Sequence, residues 1–193
     1  MRALYGRHYP ARYRAIATLI PDGSSVLDLC CGPGVLYSGY LRRKGVDYQG
    51  LDINPRFIAR VQRLGGRGQV WDLRRDDPLP RADTVVMQAS LYHFLPDPTP
   101  VVHRMLAAAR EQVIIAEPIR NLTTSRNPWI AALASRQTDA GQGAEARRFN
   151  ESTLDAFLGS LAIRPSRSFL IPGGREKVYV LDVRHPESAA GPA

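Results

Sequence analysis

Short apolar runs alternate with stretches of helical periodicity through the first 117 residues of this 193-residue chain. This alternation constrains the fold more than any other feature, because strands separated by helices pair into a parallel sheet through right-handed crossovers. Several of the runs are apolar at almost every position, which is typical of strands covered on both faces. The sequence therefore predicts one α/β domain with helices on both faces of a parallel sheet. The predicted strands are 26–29, 48–53, 69–71, 82–89 and 112–116.

The pattern changes after the fifth predicted strand. Asn150 is a good N-cap for a helix from about 151 to 161, and two strand-like runs follow, 162–171 and 177–183. Pro172-Gly173-Gly174 joins these runs, which predicts an antiparallel hairpin at the edge of the sheet. The expected organisation is a single domain over residues 1–184, an N-terminal lid or helix at 1–20, an insertion at 119–149 and a flexible tail at 185–193.

Charge and cysteine usage narrow the setting in which the chain acts. The net charge of +8 comes mainly from arginines scattered along the chain, and no run interleaves them with aromatic residues as a nucleic-acid surface would. Cys30 and Cys31 are adjacent, which is a poor arrangement for a disulfide or a zinc site and favours a reducing, cytoplasmic setting. No apolar run approaches the roughly 20 residues of a membrane helix, and the N-terminus does not have the pattern of a signal peptide. We expect a monomer or a homodimer that acts on a small molecule and has no membrane partner, with nucleic acid as the less favoured alternative partner.

A glycine-rich turn and a later carboxylate predict a nucleotide-like ligand. Such a ligand needs close backbone approach after the first strand, free amides at a helix N-terminus and a carboxylate for ribose hydroxyls after the second strand. Gly32 and Gly34 follow the first predicted strand, and Asp52 comes eighteen positions after Gly34. The G-x-G-x-x-G frame of dinucleotide sites is filled here by Cys30, Gly32 and Val35, so the spacing excludes a nicotinamide cofactor.

The motifs together resemble those of class I S-adenosylmethionine-dependent methyltransferases, a family with a Rossmann-like fold. The resemblance covers roughly residues 24 to 118. The first family motif is similar to Val26-Leu27-Asp28-Leu29-Cys30-Cys31-Gly32-Pro33-Gly34, and the second to Gly50-Leu51-Asp52-Ile53. The turn that contacts adenine is similar to Trp71-Asp72-Leu73, and the segment after the fourth strand to Gln88-Ala89-Ser90-Leu91-Tyr92-His93-Phe94.

The resemblance implies S-adenosylmethionine as the cofactor and gives each motif a part of it. The first motif would hold the methionine part, with Asp28 acting on its ammonium through water, and Gln88 would lie where strand-end backbone approaches it. Asp52 would bind the ribose. Ile53 would pack on the adenine ring. The Trp71-Asp72-Leu73 turn would supply the Asp72 carboxylate and the Leu73 backbone amide to the adenine. The cofactor-binding residues so implied are Asp28, Cys30, Gly32, Gly34, Asp52, Ile53, Asp72, Leu73 and Gln88.

One position departs from the family pattern. The family usually has glycine where this chain has Cys30. We therefore expect the backbone at Cys30 either to avoid the conformations that only glycine tolerates or to shift the loop slightly.

Methyl transfer depends on positioning and desolvation, and it needs a base only when the acceptor arrives protonated. His93, with Tyr92 beside it, follows the fourth predicted strand at the carboxyl-end crevice, which makes this pair the candidate catalytic residues. The alternative is that His93 packs against Phe94 as a structural residue.

Further residues are candidates for the acceptor side of the site. Tyr5 and Tyr9 either close over the acceptor as an N-terminal lid or pin the first helix to the core. Glu117 ends the fifth predicted strand and either orients an acceptor or pairs with an arginine such as Arg120. The insertion at 119–149 would shape the rest of the acceptor pocket.

The chemistry that these motifs predict is metal-independent. The segment after the fourth predicted strand has no cluster of carboxylates of the kind that binds magnesium. We therefore predict a methyltransferase that acts on oxygen or nitrogen of a small-molecule acceptor. The alternatives are an RNA or protein methyltransferase, which salt-sensitive polyanion binding would reveal, and a catalytically silent subunit that binds the cofactor.

Overall fold

The computed structural model describes residues 6–119 and 148–183 and contains one seven-stranded sheet. The order of the strands in the sheet is β3-β2-β1-β4-β5-β7-β6. The first five strands run parallel, and β7 is antiparallel to both β5 and β6. The parallel sheet and the antiparallel edge hairpin are therefore confirmed. The strands are β1 (Ser25–Leu29), β2 (Asp47–Asp52), β3 (Arg67–Val70), β4 (Ala82–Gln88), β5 (Ala109–Pro118), β6 (Arg167–Leu170) and β7 (Glu176–Asp182).

Helices cover both faces of the sheet, as the Rossmann-like fold requires. Val85 and Val86 are neighbours in β4 but belong to different apolar layers, because successive strand residues point to opposite faces. The helices are α1 (Tyr9–Ala17), α2 (Pro55–Arg63), α3 (Thr99–Ala108) and α4 (Glu151–Gly159), with a π-helical turn at Tyr37–Leu41 and 3-10 turns at Gly6–His8, Arg42–Lys44 and Leu91–Phe94. Helices α3 and α4 contribute to the layer that contains Val85, and α1, α2 and the π-helical turn contribute to the layer that contains Val86.

Local signals set the ends of several elements. The Asn54 side chain accepts a hydrogen bond from the backbone N–H of Arg56 and so caps α2. Asn150 forms a capping box with Thr153 at the start of α4. Gly45 ends the helical segment after β1 in the left-handed conformation, with φ of 63°. The start of α4 at Asn150 agrees with the sequence prediction.

Two strand boundaries differ from the prediction. β5 is longer than the predicted 112–116, since its pairing with β4 begins at Ala109 and its pairing with β7 extends to Pro118. β6 is shorter than the predicted 162–171. Pro165 lies in the lost part and has no N–H to donate to a ladder, and Ile163 packs against the core layer of α3 and α4.

Some expectations fall outside the described residues, namely Tyr5, Arg120, most of the 119–149 insertion and the tail at 185–193. Within the described ranges, no helix combines the length and apolar character needed to cross a membrane. The same ranges contain no group of three or more His, Cys, Asp or Glu side chains that could hold a metal ion.

Candidate functional site

The crevice lies where the order of the strands reverses. The chain leaves the carboxyl end of β1 toward β2 on one side, whereas it leaves the neighbouring β4 toward β5 on the other. Ligands of open α/β sheets bind at such a switch point. β7 runs the other way, and its pairing of Glu176 with Pro118 brings Glu176 to this same edge.

The glycine-rich loop after β1 takes an unusual backbone path. Cys30, Gly32 and Gly34 have φ values of 54°, 54° and 71°, all in the left-handed region. The N–H of Cys31 donates to the carbonyl of Leu51 at 3.1 Å, which ties the loop to β2. The expectation that Cys30 avoids a glycine-type conformation is wrong. Cys30 adopts that conformation, and its side chain is half-buried against the core layer of α3 and α4.

Asp52 joins this loop to the end of β2. Its Oδ2 accepts a hydrogen bond from the N–H of Gly32 at 2.9 Å, and its Oδ1 accepts one from the N–H of Asn54 at 2.8 Å. The carboxylate is largely buried. Asp52 is therefore held in a fixed orientation between two loops, at the position that the sequence predicts for the ribose ligand.

Asp28 is buried in β1, two residues before the loop begins. The hydroxyl of Tyr48 donates to its Oδ2 at 2.8 Å, and the Tyr48 ring stacks on Tyr37 with centroids 4.4 Å apart. Burial raises the pKa of Asp28 to about 7, although the hydrogen bond from Tyr48 acts in the opposite direction. A positive group nearby would favour its ionised form.

The side of the crevice that is predicted to hold adenine has an exposed apolar side chain beside a turn that hydrogen bonds fix in place. Ile53 exposes 53% of its surface next to Asp52. In the turn after β3, Oδ1 of Asp72 accepts from the N–H of Arg74 at 3.0 Å. The guanidinium of Arg104 on α3 donates to the carbonyl of Leu73. The turn is thus fixed from α3, a contact that sequence reasoning does not predict.

Gln88 ends β4 in a buried network that reaches α1. Its side-chain amide donates to Oε1 of Glu176 at 2.8 Å, and Oε2 of Glu176 lies 2.8 Å from Nε of Arg12. Both charged side chains are almost completely buried, at 2% and 1% exposure. The network therefore fixes α1 against the carboxyl edge and orients the Gln88 side chain.

Glu117 supports the turn after β4. Its Oε1 accepts hydrogen bonds from the N–H groups of Ser90 and Leu91, each at 2.6 Å. Its Oε2 is buried without a hydrogen-bond partner among the described residues. Burial raises the pKa of Glu117 to about 8. The structure thus gives Glu117 a backbone-holding role, while Arg120, the ion-pair partner considered for it, lies outside the described residues.

Tyr92 and His93 form the outer wall of the crevice. The two rings contact each other with centroids 4.0 Å apart, and Cζ of Arg148 lies 3.5 Å from the Tyr92 centroid. Taken over all of its atoms, His93 is exposed to solvent. Its ring is nevertheless partly desolvated, and this loss of hydration, together with Arg148 and Arg74, lowers the pKa of His93. Burial raises the pKa of Tyr92, so its phenol stays protonated at neutral pH.

The first helix is packed on the core by its aromatic residues. The ring of Tyr13 stacks on Tyr40 with centroids 5.8 Å apart, and its hydroxyl lies 3.1 Å from that of Tyr9. Together with the buried ion pair of Arg12, these contacts hold α1 against the core. This agrees with the second of the two roles considered for Tyr9, pinning the first helix to the core.

The sequence pattern does not single out Tyr48, Arg12, Glu176 or Arg148. One signal for Tyr48 is present, because Gly50 is a glycine inside a strand. A Cβ at Gly50 would lie 2.7 Å from Sγ of Cys31 and 3.0 Å from the Tyr48 hydroxyl. A strand glycine often marks such a close approach.

Known proteins share sequence and fold with this chain. The profile of a family described as a methyltransferase domain matches residues 2–149. Trans-aconitate 2-methyltransferase of Mycobacterium tuberculosis is 34% identical over 115 residues, which are 58% of this chain and 43% of that protein. The match thus spans less than half the length of this curated relative.

Solved structures extend the similarity to nearly the whole chain. Magnesium protoporphyrin IX methyltransferase from Synechocystis with bound SAH aligns over 94% of this chain and 91% of that one, with a TM-score of 0.68 and 16% identity. A TehB-like SAM-dependent methyltransferase from Corynebacterium glutamicum aligns over 93% and 91%, with a TM-score of 0.61 and 20% identity. At these identities the structures show a shared fold.

Proposed function

Because this chain belongs to the family of class I S-adenosylmethionine-dependent methyltransferases, we propose that it methylates oxygen or nitrogen of a small-molecule acceptor without a metal. The observation that carries the proposal is the joining of the Gly32 loop to the Asp52 carboxylate at the crevice. This arrangement brings together backbone N–H groups, left-handed turns and a carboxylate where the fold binds its ligands.

The residues around the loop fit the cofactor chemically. Among the described residues, Asp28 has a hydroxyl partner but no cation, so this buried carboxylate is complementary to an ammonium group. The exposed face of Ile53 offers apolar surface to an adenine ring. Asp52 would accept hydrogen bonds from the ribose hydroxyls, and the turn at Asp72 and Leu73 would contact the adenine edge.

S-adenosylmethionine, when bound, supplies a methyl group already activated by its sulfonium. What this chain has to do is orient the acceptor and exclude water. Glu117 fixes the Ser90 turn, and Tyr92 forms the wall beside it. The Tyr92 phenol is a hydrogen-bond donor in this role and not a base, because its pKa is raised.

His93 is the candidate base for an acceptor that arrives protonated. Its lowered pKa keeps the imidazole neutral at neutral pH, which is the form that accepts a proton. With such an acceptor, His93→Ala should lower turnover by about 10²–10⁴-fold while cofactor binding is retained. An unchanged rate and pH profile in a folded variant would exclude the base role.

The small-molecule class of acceptor has support from the relatives. The curated relative's name assigns it methylation of trans-aconitate, which is a small molecule. The exposed Arg56, Arg60 and Arg63 lie at helical spacing on α2, and salt-sensitive polyanion binding would test whether this stripe meets RNA instead.

The test is turnover of S-adenosylmethionine with a panel of small carboxylic acids, phenols and amines, measured as S-adenosylhomocysteine by mass spectrometry. We expect product with at least one acceptor class and binding of S-adenosylhomocysteine to the free enzyme by calorimetry. Failure to bind S-adenosylhomocysteine would contradict the proposed function. Binding without turnover on any acceptor would favour the silent cofactor-binding subunit.

A further inference from the structure

Arg148 places a positive charge at the acceptor side of the crevice. It is half-buried just before the N-cap of α4, and its Cζ lies 3.5 Å from the Tyr92 ring centroid. None of the ion pairs among the described residues includes Arg148. A side-chain hydrogen bond to Tyr92 engages part of the guanidinium, and its remaining N–H groups are available to a planar anion.

Three carboxylates of the described residues at this edge of the sheet are already engaged. Asp52 accepts from two backbone N–H groups, and Glu176 pairs with Arg12. Glu117 holds two N–H groups on one oxygen, and its raised pKa keeps the other oxygen protonated at neutral pH. Among the described residues, Arg148 and Arg74 both place positive charge beside His93, where they add to the loss of hydration that lowers its pKa.

Among the described residues, neither Tyr92, which Arg148 contacts, nor its neighbour Cys30 is an ionised base. Tyr92 remains a phenol, and the thiol of Cys30 remains neutral because burial raises its pKa to about 12. His93, the remaining titratable group here, lies on the exposed outer side. An acceptor that is already ionised suits this wall better than one that must lose a proton.

We propose that the acceptor is a small carboxylic acid, bound as its carboxylate by Arg148, and that a carboxylate oxygen is the atom methylated. This inference rests on the proposed function and names its substrate class. A carboxylate oxygen forms the new C–O bond as the methyl C–S bond breaks, and the electron pair of that bond remains on sulfur. No proton is transferred, so the product is a methyl ester and His93 only lines the site.

The chemistry of the product tests the substrate class. The enzyme is incubated with S-adenosylmethionine labelled in the methyl group and with mono-, di- and tricarboxylic acids, or with their primary amides as matched uncharged controls. Methyl esters release labelled methanol in mild alkali, whereas methylated phenols and amines do not. We expect alkali-labile label with at least one acid and none with its amide.

Binding variants test the role of Arg148 separately from turnover. For Arg148→Ala we expect kcat/KM for the acid to fall roughly ten- to hundredfold, because charge-assisted hydrogen bonds are lost. The affinity for S-adenosylhomocysteine should stay within about twofold. Calorimetry with the same acid and the S-adenosylhomocysteine complex should show weaker acid binding in the variant. Arg164→Ala, at an exposed arginine beyond α4, is the matched control and should change neither value.

The outcomes separate this inference from the proposed function. Alkali-stable methylation of a phenol or an amine would overturn the carboxylate class and leave the methyltransferase intact. Binding of S-adenosylhomocysteine without binding or methylation of any acid would also overturn the carboxylate class. An Arg148→Ala variant that binds the acid normally would overturn the role of Arg148. No binding of S-adenosylhomocysteine would instead contradict the proposed function itself.

Discussion

Replacing Asp52 by alanine removes a carboxylate that two loops share. In the wild-type protein, the N–H groups of Gly32 and Asn54 donate to its two oxygens at 2.9 and 2.8 Å. Alanine leaves both N–H groups without this acceptor at a partly buried position. Because water can reach the crevice, we expect the free energy of unfolding to fall by about 1–3 kcal/mol, the usual penalty for unpaired groups.

The effect on cofactor affinity should be larger. Two hydrogen bonds from ribose hydroxyls to a carboxylate contribute about 1.5–3 kcal/mol each. Their loss corresponds to a Kd for S-adenosylhomocysteine that is roughly 10²–10⁴-fold weaker. Calorimetric titration measures this, and urea unfolding verifies that the variant is folded under the same conditions.

Asp47 provides a matched control in the same strand. It lies at the opposite end of β2 and pairs with Arg67 at 2.8 Å on the exposed surface. Asp47→Ala should leave the affinity unchanged and cost no more than about 1 kcal/mol of stability. If Asp52→Ala binds S-adenosylhomocysteine within about twofold of wild type, the cofactor lies elsewhere and the reasoning is refuted.

Four further variants test the packing around the site. Because Cys30 holds a φ of 54°, Cys30→Gly should raise the free energy of unfolding by about 1 kcal/mol and should retain cofactor binding. Cys31→Gly, by contrast, should lower the free energy of unfolding. Urea unfolding of both variants checks this. Burial raises the pKa of Glu117 from 4.5 to about 8, so the folded protein keeps a proton that the unfolded chain loses. Stability should therefore fall as pH rises through this window, by at most about 1.4 kcal/mol per pH unit, and Glu117→Gln should flatten that slope in unfolding experiments at pH 5 and 8. Glu176→Gln keeps an acceptor for the Gln88 side-chain amide but removes the buried counter-charge of Arg12. The free energy of unfolding should therefore fall by about 3–5 kcal/mol in a thermal or urea melt. An unchanged melt would contradict the ion pair.

The elements that the sequence predicts well are those governed by local signals. Asn150 begins α4 through contacts with its own neighbours, and the structure places this boundary as predicted. The parallel direction of the first five strands follows from their alternation with helices. Strand lengths are predicted less accurately, since pairing across the sheet extends β5 and a proline shortens β6.

The parts of the site that escape sequence reasoning depend on distant partners. Arg12 and Glu176 are 164 positions apart and meet only because β7 runs antiparallel along the carboxyl edge. No local pattern marks either residue as buried. Arg148 likewise reaches Tyr92 only because α4 packs on the same face as the turn after β4. The conformation of Cys30 is a further case, since a residue type that disfavours positive φ would be expected to avoid it.

A crystal structure with bound S-adenosylhomocysteine tests the proposed cofactor site most directly. We predict that the ribose hydroxyls lie within hydrogen-bond distance of the Asp52 carboxylate and that the adenine ring packs on Ile53. We also predict that the sulfur faces the pocket bounded by Tyr92 and Arg148. A ligand bound at another edge of the sheet, or a ribose that makes no contact with Asp52, would contradict this site.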